Sequence, residues 1–212
     1  MPIRVYDYRS DVANLVVHPE IRGRFTRMEP APAGRMHSHD LSGEIFLVLE
    51  GQCEFLVEDE RVTCGPGQLI YVEPRLKHTL HAVGEEPCVV YLSVTPHVEP
   101  THTRYDETYQ TIPPQYGAWR GKAGDPQPEI ATADLARRYT QAAHRLADLA
   151  RANAEATERH LDVLVSAERS GDQISLKEEM DALWLSLRDV LWQVRALEGD
   201  WNAVAPRAMP KT

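Results

Sequence analysis

Two histidines and a glutamate near residue 40 stand at a spacing that can bind a metal ion. His37 and His39 are two residues apart, so on an extended strand both imidazoles project from the same face. Glu44 follows a four-residue polar turn and begins the apolar run 45–49, which we interpret as the returning strand. The sequence therefore predicts a hairpin that brings three metal-ligand side chains together.

A fourth candidate ligand, His78, lies on a later predicted strand, 77–83. If His78 faces the interior, Leu80 and Ala82 do so too. His81 then points away, and we exclude it as a ligand. Imidazole and carboxylate together suit several divalent transition metals, and this donor set does not choose among Fe, Mn, Ni, Co, Zn and Cu. We expect one such ion at a site formed by His37, His39, Glu44 and His78.

The alternation of side chains along a strand places further residues around this site. Phe46 and Val48 share the face of Glu44 and should line the cavity. Arg35 shares the face of His37 and should lie near the mouth of the cavity. We therefore take Arg35 and Phe46 as candidate substrate-binding residues. A local basic cluster could bind an anionic substrate, but a solvated surface is the favoured interpretation of its members, Arg22, Arg24, Arg27 and Arg35.

The elements that position these residues are short β-type segments, which fill residues 14–94 and are separated by glycine, proline and acidic turns. About eight strands at such close spacing are typical of a sandwich or an antiparallel barrel. Five prolines in residues 95–127 exclude a helix there, so the chain is expected to leave the barrel as an extended segment or linker. His97 and His102 occur in this segment and are assigned no role.

From residue 129 the sequence changes to one rich in Ala, Leu, Arg and Glu. Apolar residues recur at alternating spacings of four and three over 135–167 and again over 176–197, which is typical of heptad seams. Gly171 is expected to end the first helix, and 175–178 matches a capping box at the start of the second. These features predict an antiparallel helical hairpin.

The predicted second helix is apolar around most of its circumference. Trp184, Leu185, Leu191 and Trp192 lie off its seam, and one neighbouring helix does not bury so much apolar surface. The first helix could also reach about 60 Å and the second only about 35 Å. The hairpin is therefore expected to pack in a homodimer or against its own barrel.

The composition describes an ordinary globular protein of 212 residues, 42% hydrophobic and 26% charged. A net charge of -9 argues against nucleic acid as a partner, because phosphate binding needs a concentrated basic face. No apolar run approaches a membrane span, and residues 1–10 have no signal-peptide core. Three cysteines suit a reducing compartment, so we expect buried thiols and a cytoplasmic location. The domains would be a barrel at 1–112, a linker at 113–128, the hairpin at 129–200 and a tail at 201–212.

The stretch 34–51, which contains the predicted β-hairpin, resembles the first motif of the cupin superfamily. That motif is HxH, three or four residues, E, six residues, G. His37 and His39, followed by Glu44 and Gly51, match this spacing. The second motif, G-x5-P-x-G-x2-H-x3-N, is matched at Gly67 and at the histidine, His78. The residues that stand where Pro, Gly and Asn are usual are Glu73, Arg75 and Ala82.

This resemblance covers roughly residues 10–100 and implies a double-stranded β-helix jelly-roll barrel with a metal ion inside. The fold class is thus mainly β, followed by an α-helical hairpin about which the resemblance says nothing. The leading functional hypothesis is a metal-dependent enzyme for a small organic molecule, with dioxygenase chemistry first and an isomerase or lyase second. The rival hypothesis is a non-enzymatic ligand- or metal-binding module whose hairpin serves oligomerisation or partner binding.

Overall fold

The computed structural model describes residues 3–12, 14–117 and 127–209, in two compact units. Among its described residues, the first unit contains ten strands, and the 3-10 helix Ala205–Ala208 belongs to it as well. The strands are β1 (Asn14–His18), β2 (Ile21–Met28), β3 (His37–Ser38), β4 (Gly43–Glu50), β5 (Gln52–Val57), β6 (Glu60–Cys64), β7 (Leu69–Val72), β8 (His78–Val83), β9 (Cys88–Thr95) and β10 (Thr103–Arg104).

The strands form two five-stranded antiparallel sheets, which confirms the predicted jelly roll. The sheet orders are β1-β2-β9-β4-β7 and β10-β3-β8-β5-β6. The two sheets do not close into a continuous barrel, because the edge strands of one sheet do not pair with those of the other among the described residues. An isolated bridge between Pro30 and Ala82 links the segment after β2 to β8. The fold is therefore an open sandwich of two sheets.

The core lies between the sheets and follows the alternation of β4. Glu44, Phe46 and Val48 are buried, whereas the residues between them are partly exposed. Phe46 packs against Phe55 of the opposite sheet, with 5.3 Å between the centroids of the tilted rings. Burying an aromatic or branched side chain contributes about 1.5–3 kcal/mol each, so these inward rows stabilise the sandwich. The three cysteines are also buried and unpaired, as expected.

The second unit, residues 127–204, is the predicted antiparallel hairpin of α1 (Thr132–Ser170) and α2 (Gln173–Val204). Gly171 ends α1 in the left-handed conformation, with φ of 72°. The predicted capping box at 175–178 is wrong, because Asp172 caps α2 through its carboxylate, which accepts hydrogen bonds from the backbone N–H of Ile174 and of Ser175. The helices have 39 and 32 residues, so the large length mismatch expected from the sequence does not occur.

Contacts between α1 and α2 differ in part from the predicted seam. Met180 and Leu187 of α2 are exposed rather than buried between the helices. Polar side chains cross the seam instead: His160 pairs with Glu179, and the Gln193 amide donates to the Ala142 carbonyl at 3.1 Å. A regular 4-3 pattern predicts that two helices pack together, but it does not fix which residues face the partner helix. A shift of one residue turns the line of contact by about 100° around the helix. Of the helices described, none is both long enough and apolar enough to cross a membrane.

Candidate metal centre

The four predicted ligands meet in the space between the two sheets. His37 of β3 pairs directly with His78 of β8 in one sheet, and Glu44 of β4 faces them from the other. The predicted β-hairpin is therefore wrong, because β3 and β4 pair in different sheets. His39 follows β3 and completes the group. One nitrogen or oxygen of each residue lies within 4.8 Å of those of the other three. Ligand atoms of a single ion with bonds of about 2.0–2.2 Å are at most about 4.4 Å apart, so these four atoms lie close to the spacing that one ion requires.

Backbone carbonyls fix the orientation of two of the imidazoles. His39 Nδ1 contacts the Thr101 carbonyl, and His78 Nδ1 lies 2.9 Å from the Leu76 carbonyl. A carbonyl only accepts a hydrogen bond, so each Nδ1 carries the proton and Nε2 is left to bind a cation. The two Nε2 atoms lie 2.8 and 3.0 Å from the same carboxylate oxygen, Oε2 of Glu44. With Nδ1 donating to a carbonyl, each Nε2 can face the carboxylate only through a second proton, which makes a hydrogen bond, or through a metal ion in place of that proton. The geometry therefore fits a cation.

The electrostatics of the group favour deprotonated ligands. Burial alone would raise the pKa of Glu44, but the hydrogen bonds with His39 and His78 outweigh it and hold that pKa well below its usual range. Burial, followed by the charge of His78, lowers the pKa of His37 from 6.5 to about 3. A neutral imidazole and an ionised carboxylate are the protonation states that bind metals.

The turn before His78 keeps the geometry of the second motif without its glycine. Arg75 stands at the glycine position and adopts a φ of 73°, in the left-handed region. This conformation costs a residue with a Cβ about 1–2 kcal/mol. The Arg75 N–H donates to the His39 carbonyl at 2.8 Å, which ties the turn to the loop that carries a second ligand. The departure from the motif therefore leaves His78 in place.

The structure adds a histidine that sequence reasoning left without a role. The ring of His102 lies 4.8 Å from that of His39 and 4.9 Å from that of His37. Burial, then the neighbouring His37, His39 and Arg22, lowers the pKa of His102 to about 2, so it is neutral. His102 reaches the site because β10 returns to pair with β3. This long-range pairing had no sequence signal, since β10 has only two residues.

The other predicted pocket residues lie in different environments. Phe46 is buried with its ring 6.1 Å from that of His78, and Val48 is part of the hydrophobic core. Arg35 lines a cavity of about 370 Å³ together with His37, His102 and Arg104, so it does lie near an opening to the site. His81 lies outside the ligand group, 3.8 Å from Glu54. Substrate binding by Arg35 and Phe46 stays a prediction.

The interpretation of the basic cluster as solvated surface is wrong for two of its members. Arg22 is only 3% exposed, and Arg24 is partly buried. Arg27 and Arg35 are exposed, as expected. Alternation explains the difference, because Arg22 and Arg24 share the inward face of β2, where the sequence shows arginines rather than apolar residues. His97 of the exit segment is also fully buried.

We predict that the metal-free protein loses stability as the pH falls from about 6.5 towards 3. Below 6.5 an unfolded chain protonates His37 and His102, whereas the folded chain holds both neutral, so the unfolded state binds more protons. Replacing His102 by glutamine should flatten this dependence over the same range. Chemical unfolding of the chelator-treated protein at a series of pH values measures this dependence. Equal slopes of the unfolding free energy against pH for the wild type and His102→Gln would contradict the contribution of His102.

The sequence profile of the family described as the cupin domain matches residues 24–95. These residues contain all four ligand positions and the strands β4 to β9. The match covers 72 of the 212 residues, and we refer to this segment as the cupin domain. No curated protein matches the chain.

Several solved structures resemble the cupin domain at low identity. A protein with a double-stranded β-helix domain from Klebsiella pneumoniae is 14% identical, with a TM-score of 0.45, over 50% of this chain and 100% of that one. KdgF from Halomonas sp. is 20% identical, with a TM-score of 0.37, over 40% and 77% of the two chains. The DMSP lyase DddQ from Ruegeria pomeroyi is also 20% identical, with a TM-score of 0.37, but only 43% of its own chain is covered.

Proposed function

We propose that the cupin domain is a metal-dependent enzyme that acts on a small organic molecule. The observation that carries this proposal is the arrangement of three imidazoles and one carboxylate, with the Nδ1 atoms of His39 and His78 held by carbonyls and their Nε2 atoms aimed at Glu44. A bound divalent transition metal would supply a Lewis-acidic centre with positions left for substrate or dioxygen. Dioxygenase chemistry is our first choice, and an isomerase or lyase is the second.

The residues of the chain would contribute orientation, charge and access. The carbonyls of Thr101 and Leu76 keep two imidazoles in one tautomer, as outer-shell groups do in metal sites. The carboxylate of Glu44 offsets the charge of a cation. His102 adds a neutral imidazole at the cavity that also borders His37, where it would form a hydrogen bond with a bound substrate. The cavity of about 370 Å³ is within the range of small-molecule sites.

The test is metal analysis followed by a reaction screen. Protein purified without added metal should contain close to one transition-metal ion per chain. Fe- and Mn-loaded forms should then consume oxygen with some members of a panel of phenols and enols, and His39→Ala should not. Stoichiometric metal without turnover would favour the isomerase, lyase or binding alternatives, whereas absence of metal in all loading conditions would contradict the proposal.

The second candidate is a non-enzymatic binding module, and an exposed apolar surface on the hairpin supports an assembly role. No residue of α2, which is described over its full length, is fully buried. Trp192 is 75% exposed and Trp184 54% exposed. Exposed apolar patches of this kind mark interaction sites. We propose that this surface forms a homodimer whether or not the cupin domain is an enzyme. We also propose a cytoplasmic location, which the three free thiols suit.

For the homodimer we expect a solution mass of twice 24.0 kDa for the full chain. The double replacement of Trp184 and Trp192 by glutamate should return the mass to that of one chain, because charged side chains there oppose burial of the patch. Light scattering after size-exclusion chromatography measures both. The control, Arg145→Glu, reverses the charge at an exposed position of α1 and should stay dimeric. A monomeric wild type would contradict the homodimer.

A further inference from the structure

The inward face of β2 places two arginines beside the candidate metal centre. Arg22 pairs with Val94 of β9, and Val94 pairs on its other side with Glu44 of β4. Residues aligned across neighbouring strands project from the same face, so the Arg22 side chain enters the space that holds Glu44. Arg24, two residues on, is aligned through β9 in the same way with Phe46. Both guanidinium groups therefore extend the polar lining of the site along β2.

These two arginines have no protein partner within the described part of the chain. The Nε atoms of Arg22 and Arg24 are buried without a hydrogen bond, and no ion pair to either side chain occurs among the described residues. Burial lowers the pKa of both groups. Arg27 on the same strand differs, because it is half exposed and pairs with Glu29 at 3.3 Å. A buried guanidinium without a partner is costly, so a ligand that pairs with it gains correspondingly.

The acidic groups nearest to Arg22 are already engaged elsewhere. Glu44 and Glu99 act on Arg22 electrostatically at longer range. Glu44 interacts with the two imidazoles through Oε2, and Glu99 Oε2 accepts a hydrogen bond from the Gly117 N–H at 2.9 Å. A divalent cation at the centre would offset the charge of Glu44, which leaves the two guanidinium groups with a positive charge that favours an anionic ligand.

We propose that Arg22 and Arg24 form a subsite for the carboxylate group of a small organic anion. A guanidinium offers parallel N–H donors that match the two oxygens of a carboxylate. Thr26, the next inward residue of β2, adds a buried hydroxyl that also has no hydrogen-bond partner. The surrounding inward residues Phe46 and Val94 are apolar and suit the carbon skeleton of an organic acid better than a multiply charged phosphate. The inference that the bound anion is a substrate rests on the proposed function. The inference that the two arginines bind an anion does not.

The test follows the Nε–Hε NMR signals of the arginines in the full chain. Acetate, added to the metal-free and to the Zn²⁺-loaded protein, should shift the signals of Arg22 and Arg24 but not that of Arg27. Acetamide has the same shape without the charge and should shift none of them. Arg22→Gln and Arg24→Gln should each weaken acetate binding about 10-fold or more, as expected for a hydrogen bond to a charged group, whereas Arg27→Gln should not.

The outcomes separate this inference from the proposed function. Zn²⁺ binding without any acetate-dependent shift at Arg22 and Arg24 would overturn the subsite and leave the metal centre intact. An acetate-dependent shift in a protein that binds no metal would support the subsite and contradict the enzyme. Tighter binding of inorganic phosphate than of acetate at the same signals would overturn the assignment to carboxylates. Thermal unfolding followed by circular dichroism should show that Arg22→Gln remains folded, because the change removes an unpaired buried charge.

Discussion

Replacing His78 by alanine is expected to abolish stoichiometric metal binding. His78 supplies Nε2 next to Oε2 of Glu44, and its Nδ1 contact with the Leu76 carbonyl fixes the ring before any ion arrives. Loss of an outer-shell partner typically costs 10–100-fold in affinity, so loss of the ligand itself should cost at least about 100-fold. Metal content after dialysis and competition with a fluorescent chelator measure the change.

The matched control for His78→Ala is His81→Ala on the same strand. His81 lies three residues away, outside the ligand group and close to Glu54, so its removal should leave the affinity unchanged. His78→Gln keeps most of the buried volume and separates ligand loss from unfolding. Equal metal content in the wild type and in both His78 variants would show that the four residues do not form the site.

The second large effect is expected at Gly51, the last residue of the first motif. Gly51 has a φ of 69°, and a Cβ there would lie 2.2 Å from the Pro87 carbonyl oxygen and 2.9 Å from the Cα of Cys88. Both atoms belong to the backbone at the start of β9, so neither can rotate away. We predict that Gly51→Ala destabilises the first unit by more than about 3 kcal/mol, combining left-handed strain with a backbone clash.

Gly67→Ala is the control that separates the cost of left-handed backbone strain from the cost of a steric clash. Gly67 has a φ of 83°, but a Cβ there would meet nothing within 4 Å. This variant should lose only about 1–2 kcal/mol, the cost of the left-handed conformation. Hydrogen exchange of the β4 and β9 amides in metal-free protein measures both variants in the correct unit, since three of the four tryptophans, Trp184, Trp192 and Trp201, lie in the hairpin. Equal losses in the two variants would contradict the contact at Gly51.

These expectations explain the first motif in physical terms. The two histidines and Glu44 provide donors, whereas Gly51 permits β4 to turn into β5 directly against the backbone that leads into β9. The second motif shows that such a constraint can be met differently, because Arg75 adopts the left-handed φ at a position where the family usually has glycine. A metal ligand must be one of a few residue types, whereas a turn position with a left-handed φ accepts other residues at a cost in stability.

The sequence by itself determined the local features of this protein. Alternation with a period of two identified which residues of β4 and β8 face inward, and three of the four ligands lie within residues 37–44. The sequence did not show that β3 and β4 join different sheets instead of forming a hairpin. The helical hairpin was equally accessible, since its 4-3 repeat and Gly171 are local signals. Its exact contact line was not, because Met180 and Leu187 fit the repeat but lie on the exposed side.

Only the tertiary structure decided what surrounds the ligands. The order β2-β9-β4 places Arg22 and Arg24 level with Glu44 and Phe46, although some twenty residues separate them in the chain. The return of β10 to β3 brings His102 to the other ligands in the same way. Strand order and edge pairing depend on the packing of distant segments, so the periodicity of one strand does not contain them. Three of the four donors thus come from one short stretch, whereas the fourth donor, His78, and the charge environment depend on how the sheets assemble.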